Sequence, residues 1–338
     1  MLNSRRRFLQ GMFTSAILPA LDLSPVRDHH DWEQSRRATL AGMELLMGPL
    51  PPPDRAPLDL RISAQTETPR FTRLRITYNG EPNDPVPAWL LIPNGKQGRP
   101  RRAPAMLCLH QTTRLGKDEP VGLGGLPNLH YARELAERGY VCLVPDYPYL
   151  GENRFDPYQN GYQSCTMKGI VNHRRGVDLL ESLPAVDRRR IGVIGHSLGG
   201  HNALFVAAFD TRLRAVVTSC GFTSFPKYMK GNLTGWDNYR YMPLVATRYQ
   251  KDPARMPFDF PALLSSLAPR GLFINAPLGD SNFDNSGVRD CVEAARPIYE
   301  QIFHASDRLI ARYPDAGHDF PTPLRAEAYQ ALDRWLKD

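Results

Sequence analysis

The sequence predicts an α/β protein in which a mostly parallel central sheet is covered by helices on both faces. The first observation is that strand-like and helix-like segments alternate along the chain after residue 60. The second is that some strand-like segments are continuous apolar runs, such as APAMLCLH at 103–110, which suits a strand buried on both faces. A segment at 222–270, rich in Trp, Tyr, Phe and Pro, interrupts the alternation and predicts an aromatic-rich insert.

The predicted elements begin with an antiparallel pair, FTRLRITYN at 71–79 and VPAWLLIP at 86–93, around the turn-forming sequence GEPNDP. The segments that follow fit parallel strands joined by helices, and the helix at 287–303 should kink at Pro297. The later strands are predicted at 103–110, 141–147, 190–195, 213–221, 271–277 and 308–314, and the helices at 128–140, 165–183, 197–209, 287–303 and 324–337.

The N-terminus has the features of a targeting segment. The stretch SRRRFLQ at 4–10 resembles a twin-arginine export signal, whose paired arginines are recognised by a translocase. The mostly apolar stretch at 11–23 that follows is short for a membrane span. These features predict a periplasmic or secreted protein whose partner during export is the twin-arginine translocase. Because no clear Ala-x-Ala cleavage site follows Leu18, a retained, uncleaved segment is the alternative.

Three regions are predicted along the chain: a signal segment at 1–25, an N-terminal extension at 26–69 and the main domain at 70–338. The whole chain has 338 residues, of which 42% are hydrophobic and 23% are charged, as in an ordinary globular protein. The net charge of +7 includes the three arginines at 5–7, and the remainder is too small to indicate a nucleic-acid partner. The five cysteines form no Cys-x-x-Cys motif and no cluster with histidine, so no metal site and no cofactor is predicted.

A Gly-x-Ser-x-Gly motif, with Ser197 at its centre, lies between the predicted strand at 190–195 and the helix that follows. This strand-to-helix context is the one that a nucleophilic serine requires, because a sharp turn exposes its hydroxyl at the end of the strand. The helix N-terminus beside it offers free N–H groups that suit an oxyanion. The alternative is a serine that only caps the helix in a glycine turn.

A nucleophilic serine needs a base and an orienting acid. His318 follows the last predicted strand, at the sheet edge where parallel sheets build their sites, and is the predicted base. The stretch FINAPLGDSNFDNSGV offers Asp280 and Asp284 as acids. Asp280 is the predicted acid because it is closer to the strand end, whereas Asp284 precedes a polar cluster that indicates the start of the next helix.

These residues resemble the α/β-hydrolase superfamily, and more narrowly its dienelactone-hydrolase-like and acetyl-xylan-esterase-like branch, over roughly residues 70 to 338. The resemblance rests on GHSLGG at 195–200, LHQT at 109–112, PDYPYLGE at 145–152 and AGHDF at 316–320. It implies the α/β-hydrolase fold, with the insert before the acid-bearing strand. Ser197 stands where dienelactone hydrolases carry cysteine, which favours ordinary acyl esters as substrates.

The resemblance also implies an oxyanion hole formed by the backbone N–H groups of Leu198 and Thr112, with Gln111 as the fallback for the second donor. Gln111, and Trp236 and Tyr241 of the aromatic insert, are the candidate substrate-binding residues. The alternative for the two aromatic residues, Trp236 and Tyr241, is that they fill the hydrophobic core.

Three functions follow from this pattern. The first is an exported serine carboxylesterase, which could be a carbohydrate deacetylase, acting on a small-molecule or carbohydrate ester through an acyl-enzyme and without a cofactor. The second is a serine peptidase of the prolyl-oligopeptidase type, which the short chain before the main domain disfavours. The third is a catalytically silent binding protein, which the ordered Ser, Asp and His disfavour.

Overall fold

The computed structural model describes residues 26–52, 56–94 and 102–337. The predicted signal segment at 1–25 lies outside these residues. No helix within the described ranges is both long enough and apolar enough to cross a membrane.

The strands form a nine-stranded sheet within the described part of the chain. They are β1 (Arg61–Glu67), β2 (Phe71–Asn79), β3 (Pro85–Pro93), β4 (Ala103–Leu109), β5 (Val141–Pro145), β6 (Val186–His196), β7 (Leu213–Ser219), β8 (Gly271–Asn275) and β9 (Leu309–Arg312). The helices are α1 (His29–Met47), α2 (Tyr131–Glu137), α3 (Cys165–Ser182), α4 (Leu198–Phe209), α5 (Leu244–Thr247), α6 (Phe260–Ser266), α7 (Asn285–Pro297) and α8 (Thr322–Leu336).

The sheet order is β1-β2-β3-β5-β4-β6-β7-β8-β9. The pairs β1–β2, β2–β3 and β3–β5 are antiparallel. The other five pairs, from β5 across the sheet to β9, are parallel. The carboxyl ends of the parallel strands therefore meet at one edge, where α/β sheets bind ligands. The predicted fold class is confirmed.

The parallel strands β4, β5 and β8 are buried on both faces, as their apolar runs predicted, whereas β9 at the sheet edge is only partly buried. Along β4, Leu107 and Leu109 belong to one hydrophobic cluster, whereas Met106 and Cys108 belong to the other. The first cluster includes side chains from α1, α3, α4, α6 and α7, and the second includes side chains from α2 and α8. The two-residue period of a strand explains this division.

Several element bounds differ from the predicted ones. Strand β6 begins at Val186, before the predicted start, and α2 is shorter than the predicted helix at 128–140. Helix α7 ends at Pro297 and continues as a π-helical turn, Ile298–Ile302, because proline has no N–H to donate to the preceding turn. The region at 26–69, for which no elements were predicted, contains α1 and β1.

Candidate active site

Ser197 lies in the turn between β6 and α4. Its backbone has φ 54° and ψ −118°, a conformation that is strained for a residue with a side chain. The backbone N–H of Ser197 donates to the carbonyl oxygen of Ser219 at 2.8 Å, which ties the turn to β7. A strained turn between a strand and a helix is the geometry that exposes a nucleophilic hydroxyl.

The glycines around Ser197 are required by close backbone contacts. A Cβ atom on Gly195 would lie 2.1 Å from the carbonyl oxygen of Gly199. A Cβ atom on Gly199 would lie 1.9 Å from the carbonyl oxygen of Leu109, at the end of β4. The start of α4 therefore lies directly against the end of β4. Because Leu198 is the first residue of α4, its backbone N–H has no hydrogen-bond acceptor within the helix.

His318 and Asp280 meet at the same edge of the sheet. Asp280 follows β8, His318 follows β9, and Nδ1 of His318 lies 2.9 Å and 3.0 Å from the two carboxylate oxygens of Asp280. Because the carboxylate accepts the proton on Nδ1, Nε2 of a neutral His318 is free to act as a base. The hydrogen bond from the N–H of Gly279 to the carbonyl of Ala316, at 2.9 Å, joins the two loops.

The charge of Asp280 is stabilised within a buried environment. Its side chain is 1% exposed, whereas that of His318 is 23% exposed. Burial raises the pKa of Asp280. The hydrogen bond and charge of His318, together with the backbone N–H groups of Asn282 and Phe283, lower this pKa by more, so that the net shift is downward. Asp280 is thus held as a carboxylate facing the imidazole.

Asp284 has a different position. Its side chain accepts a hydrogen bond from the backbone N–H of Ser286 at 2.8 Å and caps the N-terminus of α7. This is the helix-start position that the polar cluster after Asp284 indicated.

The buried side chains of His196 and Cys220 lie close to His318. The ring of His196 lies 4.8 Å from the ring of His318 in an edge-to-face arrangement, and Nδ1 of His196 is 2.9 Å from Oγ of Ser219. Burial and the charge of His318 lower the pKa of His196 to about 3, so that it stays neutral beside an imidazolium. Burial raises the pKa of Cys220, which makes this neighbouring thiol a poor nucleophile.

His196, Cys220 and His318 are also a group in the described chain whose potential metal-ligand atoms lie within 4.8 Å of one another. Nδ1 of His318 is already engaged by Asp280. A metal ion could therefore bind His318 only through Nε2, the ring nitrogen that Asp280 leaves free.

The loop after β4 contains the two other predicted site residues. Oγ1 of Thr112 lies 2.7 Å from the hydroxyl of Tyr241, so that the insert contacts this loop. The side-chain amide of Gln111 donates to both carboxylate oxygens of Glu119, at 3.0 Å and 3.1 Å. Thr112 is exposed, whereas the side chain of Gln111 is occupied by a structural contact.

The expectation that Trp236 lines the substrate pocket is corrected by the structure. Trp236 is only 3% exposed and belongs to the hydrophobic core. Its ring lies 4.9 Å from that of His201 and 5.8 Å from those of Phe225 and Phe260. Because these aromatic neighbours enclose the indole, it presents almost no surface to a ligand.

A cavity of about 610 Å³ opens beside Thr112. Sequence reasoning missed most of the residues that line it, because they come from the loop after β4, the loop after β5 and the insert. The motif PDYPYLGE at 145–152 was the available signal for three of them, Tyr149, Leu150 and Gly151. The lining residues are Thr112, Thr113, Arg114, Tyr149, Leu150, Gly151, Arg154, Tyr239 and Arg240.

Comparisons with known proteins agree with the fold. The model of a family described as fungal glucuronyl esterase matches residues 171–302. The protein named "Putative hydrolase YtaP" of Bacillus subtilis (strain 168) is 27% identical over 307 residues, which are 86% of this chain and 96% of that protein.

Two solved structures show the same fold at low sequence identity. A glucuronoyl esterase from Solibacter usitatus superposes with a TM-score of 0.67 at 18% identity, covering 92% of this chain and 94% of that one. An acetyl xylan esterase from Paenibacillus sp. R4 superposes with a TM-score of 0.60 at 19% identity, covering 94% and 98%.

The described part of the chain has the α/β-hydrolase fold, and residues 171–302 are similar to an esterase family. The predicted fold is therefore confirmed, and these matches support the predicted enzyme class, a carboxylic ester hydrolase. Within that class, the chain is similar to carbohydrate esterases.

Proposed function

We propose that the protein is an exported serine carboxylesterase that hydrolyses a carbohydrate ester through Ser197, His318 and Asp280. The observation that carries the proposal is the hydrogen bond between His318 and Asp280, 2.9 Å long, at the sheet edge where β6 presents Ser197 in a strained turn. A nucleophile, a base and an orienting acid in this arrangement support acyl transfer.

In the first half of the reaction, Oγ of Ser197 attacks the ester carbonyl while its proton passes to Nε2 of His318. Asp280 holds the imidazole in the required tautomer and stabilises the imidazolium. The backbone N–H groups of Leu198 and Thr112 are the proposed donors to the oxyanion. The tetrahedral intermediate then collapses, and the alcohol leaves with the proton from His318.

In the second half, His318 takes a proton from water, which attacks the acyl-enzyme at the same carbonyl carbon. The second tetrahedral intermediate releases the acid and returns the proton to Oγ of Ser197. The neutral state of His196 suits its position beside His318, because a second protonated imidazole there would repel the imidazolium of His318.

The proposed substrate class is an ester on a carbohydrate. The glucuronyl esterase family model and the similarity to an acetyl xylan esterase support it. The rings of Tyr149 and Tyr239 at the cavity also support it, since aromatic surfaces with polar tips suit sugars.

The experiment that tests this function compares purified wild type and Ser197→Ala on 4-nitrophenyl acetate, acetylated xylan and a proline-containing peptide. We expect wild type to hydrolyse the esters, and Ser197→Ala to lose at least about 10⁴-fold in kcat with an unchanged circular dichroism spectrum. Full activity in Ser197→Ala would refute the nucleophile, and cleavage of the peptide alone would identify a peptidase instead.

Export through the twin-arginine pathway is part of the same proposal, supported by SRRRFLQ at 4–10. We expect Arg5→Lys combined with Arg6→Lys to retain the enzyme in the cytoplasm, measured by fractionation of esterase activity. Arg7→Lys is the matched control, because it keeps both arginines of the pair. An unchanged distribution of the double variant would contradict this route.

A further inference from the structure

The cavity beside Thr112 is unusually basic. Of its nine lining residues, Arg114, Arg154 and Arg240 are arginines, and none is Asp or Glu. We call these three side chains the arginine cluster. They come from separate segments, the loop after β4, the loop after β5 and the insert, so that only the fold brings them together.

The three guanidinium groups of the arginine cluster form no ion pair within the described part of the protein. Within the described ranges, no carboxylate oxygen lies within 4.0 Å of a guanidinium nitrogen of these three residues. Arg154 donates to the carbonyl of Gly151 at 2.8 Å, and the buried Nε of Arg240 has no hydrogen-bond partner. Uncompensated positive charge that lines a concave surface favours an anionic ligand.

The loops that carry Arg114 and Arg154 are held together by one buried carboxylate. Oδ1 of Asp146 accepts from the backbone N–H of Lys117 at 2.7 Å, and Oδ2 accepts from the backbone N–H of Glu152 at 2.9 Å. Nζ of Lys117 bridges Asp146 and Glu152 at 3.0 Å and 2.9 Å. This network fixes the spacing of the two loops before any ligand binds, which lowers the entropic cost of binding.

The third arginine is fixed in a similar way. The hydroxyl of Tyr147 donates to the backbone carbonyl of Arg240 at 2.9 Å, and the neighbouring Tyr241 contacts Thr112. The guanidinium of Arg240 lies 5.0 Å from the centre of the Tyr239 ring. An arginine packed on an aromatic ring is restricted before a ligand binds, so that less side-chain entropy is lost on binding.

The cavity lies next to the elements that carry the proposed catalytic centre. Leu150 lines the cavity and also belongs to the apolar cluster that contains Leu198, the residue after Ser197. Thr112, the proposed second oxyanion donor, lies on its wall. A sugar whose ester reaches Ser197 would therefore extend a neighbouring group into the arginine cluster.

We propose that the arginine cluster binds a free anionic group, a carboxylate or a sulfate, on the carbohydrate that carries the scissile ester. The substrate class is then an ester of an acidic carbohydrate. This inference rests on the proposed esterase function for its connection to Ser197. The guanidinium fork matches the paired oxygens of both anions, and the rings of Tyr149 and Tyr239, 5.7 Å apart, offer an aromatic surface for the sugar.

The test measures binding in the absence of turnover. Calorimetry on Ser197→Ala would compare a galacturonate trimer, a sulfated galactose trimer and a neutral galactose trimer. We expect at least one acidic trimer to bind about tenfold or more tightly than the neutral trimer, because charged hydrogen bonds are strong. Preference for the carboxylate or for the sulfate supports the proposal and identifies the anion.

Two sets of variants in the same background decide whether the arginine cluster is responsible. Arg154→Gln combined with Arg240→Gln should remove the preference for the acidic trimer, and Arg114→Gln alone, at an exposed side chain, should reduce it. The matched control is Arg188→Gln combined with Arg189→Gln, at the opposite end of β6, which should leave the preference unchanged. Equal affinity for acidic and neutral trimers, or a preference that survives all three cluster substitutions, would overturn the proposal.

This design separates failure of the inference from failure of the proposed function. Binding of an acidic trimer that depends on the cluster, without ester hydrolysis by wild type, would keep the anion site and reject the esterase. Hydrolysis that depends on Ser197, without a preference for acidic ligands, would keep the esterase and reject the anion site.

Discussion

At the scale of single residues, two aspartates four positions apart have different roles. The carboxylate of Asp280 contacts Nδ1 of His318 and accepts from the N–H groups of Asn282 and Phe283, at 2.8 Å and 3.2 Å. The carboxylate of Asp284 instead caps α7 by accepting a hydrogen bond from the backbone N–H of Ser286. The loop after β8 turns between Asp280 and Asp284, so that the carboxylate of Asp280 faces the loop after β9, whereas that of Asp284 faces the start of α7.

We expect Asp280→Asn to lower kcat by roughly 10³- to 10⁴-fold, because the amide no longer fixes the tautomer of His318. Asp284→Asn is the matched control and should keep activity near that of wild type, with a loss of about 1 kcal/mol or less in the free energy of unfolding, since asparagine also caps helices. Kinetics on one soluble ester and urea unfolding measure both effects. A large rate loss in Asp284→Asn with normal Asp280→Asn would reverse the two roles.

The sequence predicts some of these residues better than others, for physical reasons. Ser197 and His318 follow recognisable strands, so that their position at the sheet edge can be predicted from topology. Trp236 could not be placed, because an aromatic residue within an aromatic-rich segment has the same pattern whether it lines a pocket or fills the core. Only the packing of His201 and Phe225 around it decides the matter.

At the scale of elements, the contact between β4 and the start of α4 sets the geometry of the site. Gly199 leaves no room for a side chain above the carbonyl of Leu109. The parallel strands could be predicted because burial on both faces produces apolar runs. Strand β1 could not, since every one of its residues is exposed and its sequence RISAQTE has no buried face.

We expect Gly199→Ala to reduce the free energy of unfolding by about 1–3 kcal/mol and to lower ester hydrolysis, because the added methyl group must push α4 away from β4. Gly161→Ala is the control, since its Cβ would meet nothing within 4 Å and only its φ of 83° is unfavourable. It should cost about 1 kcal/mol with unchanged kinetics. Wild-type stability and activity in Gly199→Ala would show that the contact is not restrictive.

At the scale of the whole molecule, α1 joins the N-terminal region to the hydrophobic cluster on one face of the sheet. Its residues Met43, Leu46 and Met47 are fully buried, and the indole N–H of Trp32 donates to the carbonyl of Ser265 at 2.9 Å. Leu46→Ala should therefore cost about 2–5 kcal/mol in the free energy of unfolding, measured with urea. Leu40→Ala, at a partly buried position on the same helix, should cost less. An effect of Leu46→Ala below that of Leu40→Ala would mean that α1 contributes little to folding.

Buried histidines distributed through the molecule make its stability depend on pH. Burial lowers the pKa values of His173, His196 and His201 to about 3 each. The pKa of an unfolded histidine is about 6.5, so that between these values the unfolded chain binds protons that the folded chain does not. The stabilisation that these neutral histidines contribute to the free energy of unfolding should therefore be fully present above pH 6.5 and should be lost as the pH drops below that value.

We expect His201→Phe to reduce this pH dependence. For each such histidine, the free energy of unfolding decreases by up to about 1.4 kcal/mol per pH unit below the pKa of the unfolded chain. The decrease between pH 6 and pH 5 should therefore be smaller in the variant than in wild type by about that amount. Phenylalanine fills the same space beside Phe205 and Trp236 and cannot be protonated. His30→Gln, at an exposed position in α1, is the control and should leave the difference between the two pH values as in wild type. Urea unfolding at both pH values measures the difference, and an unchanged value in His201→Phe would show that His201 is protonated to the same extent in the folded and unfolded chains.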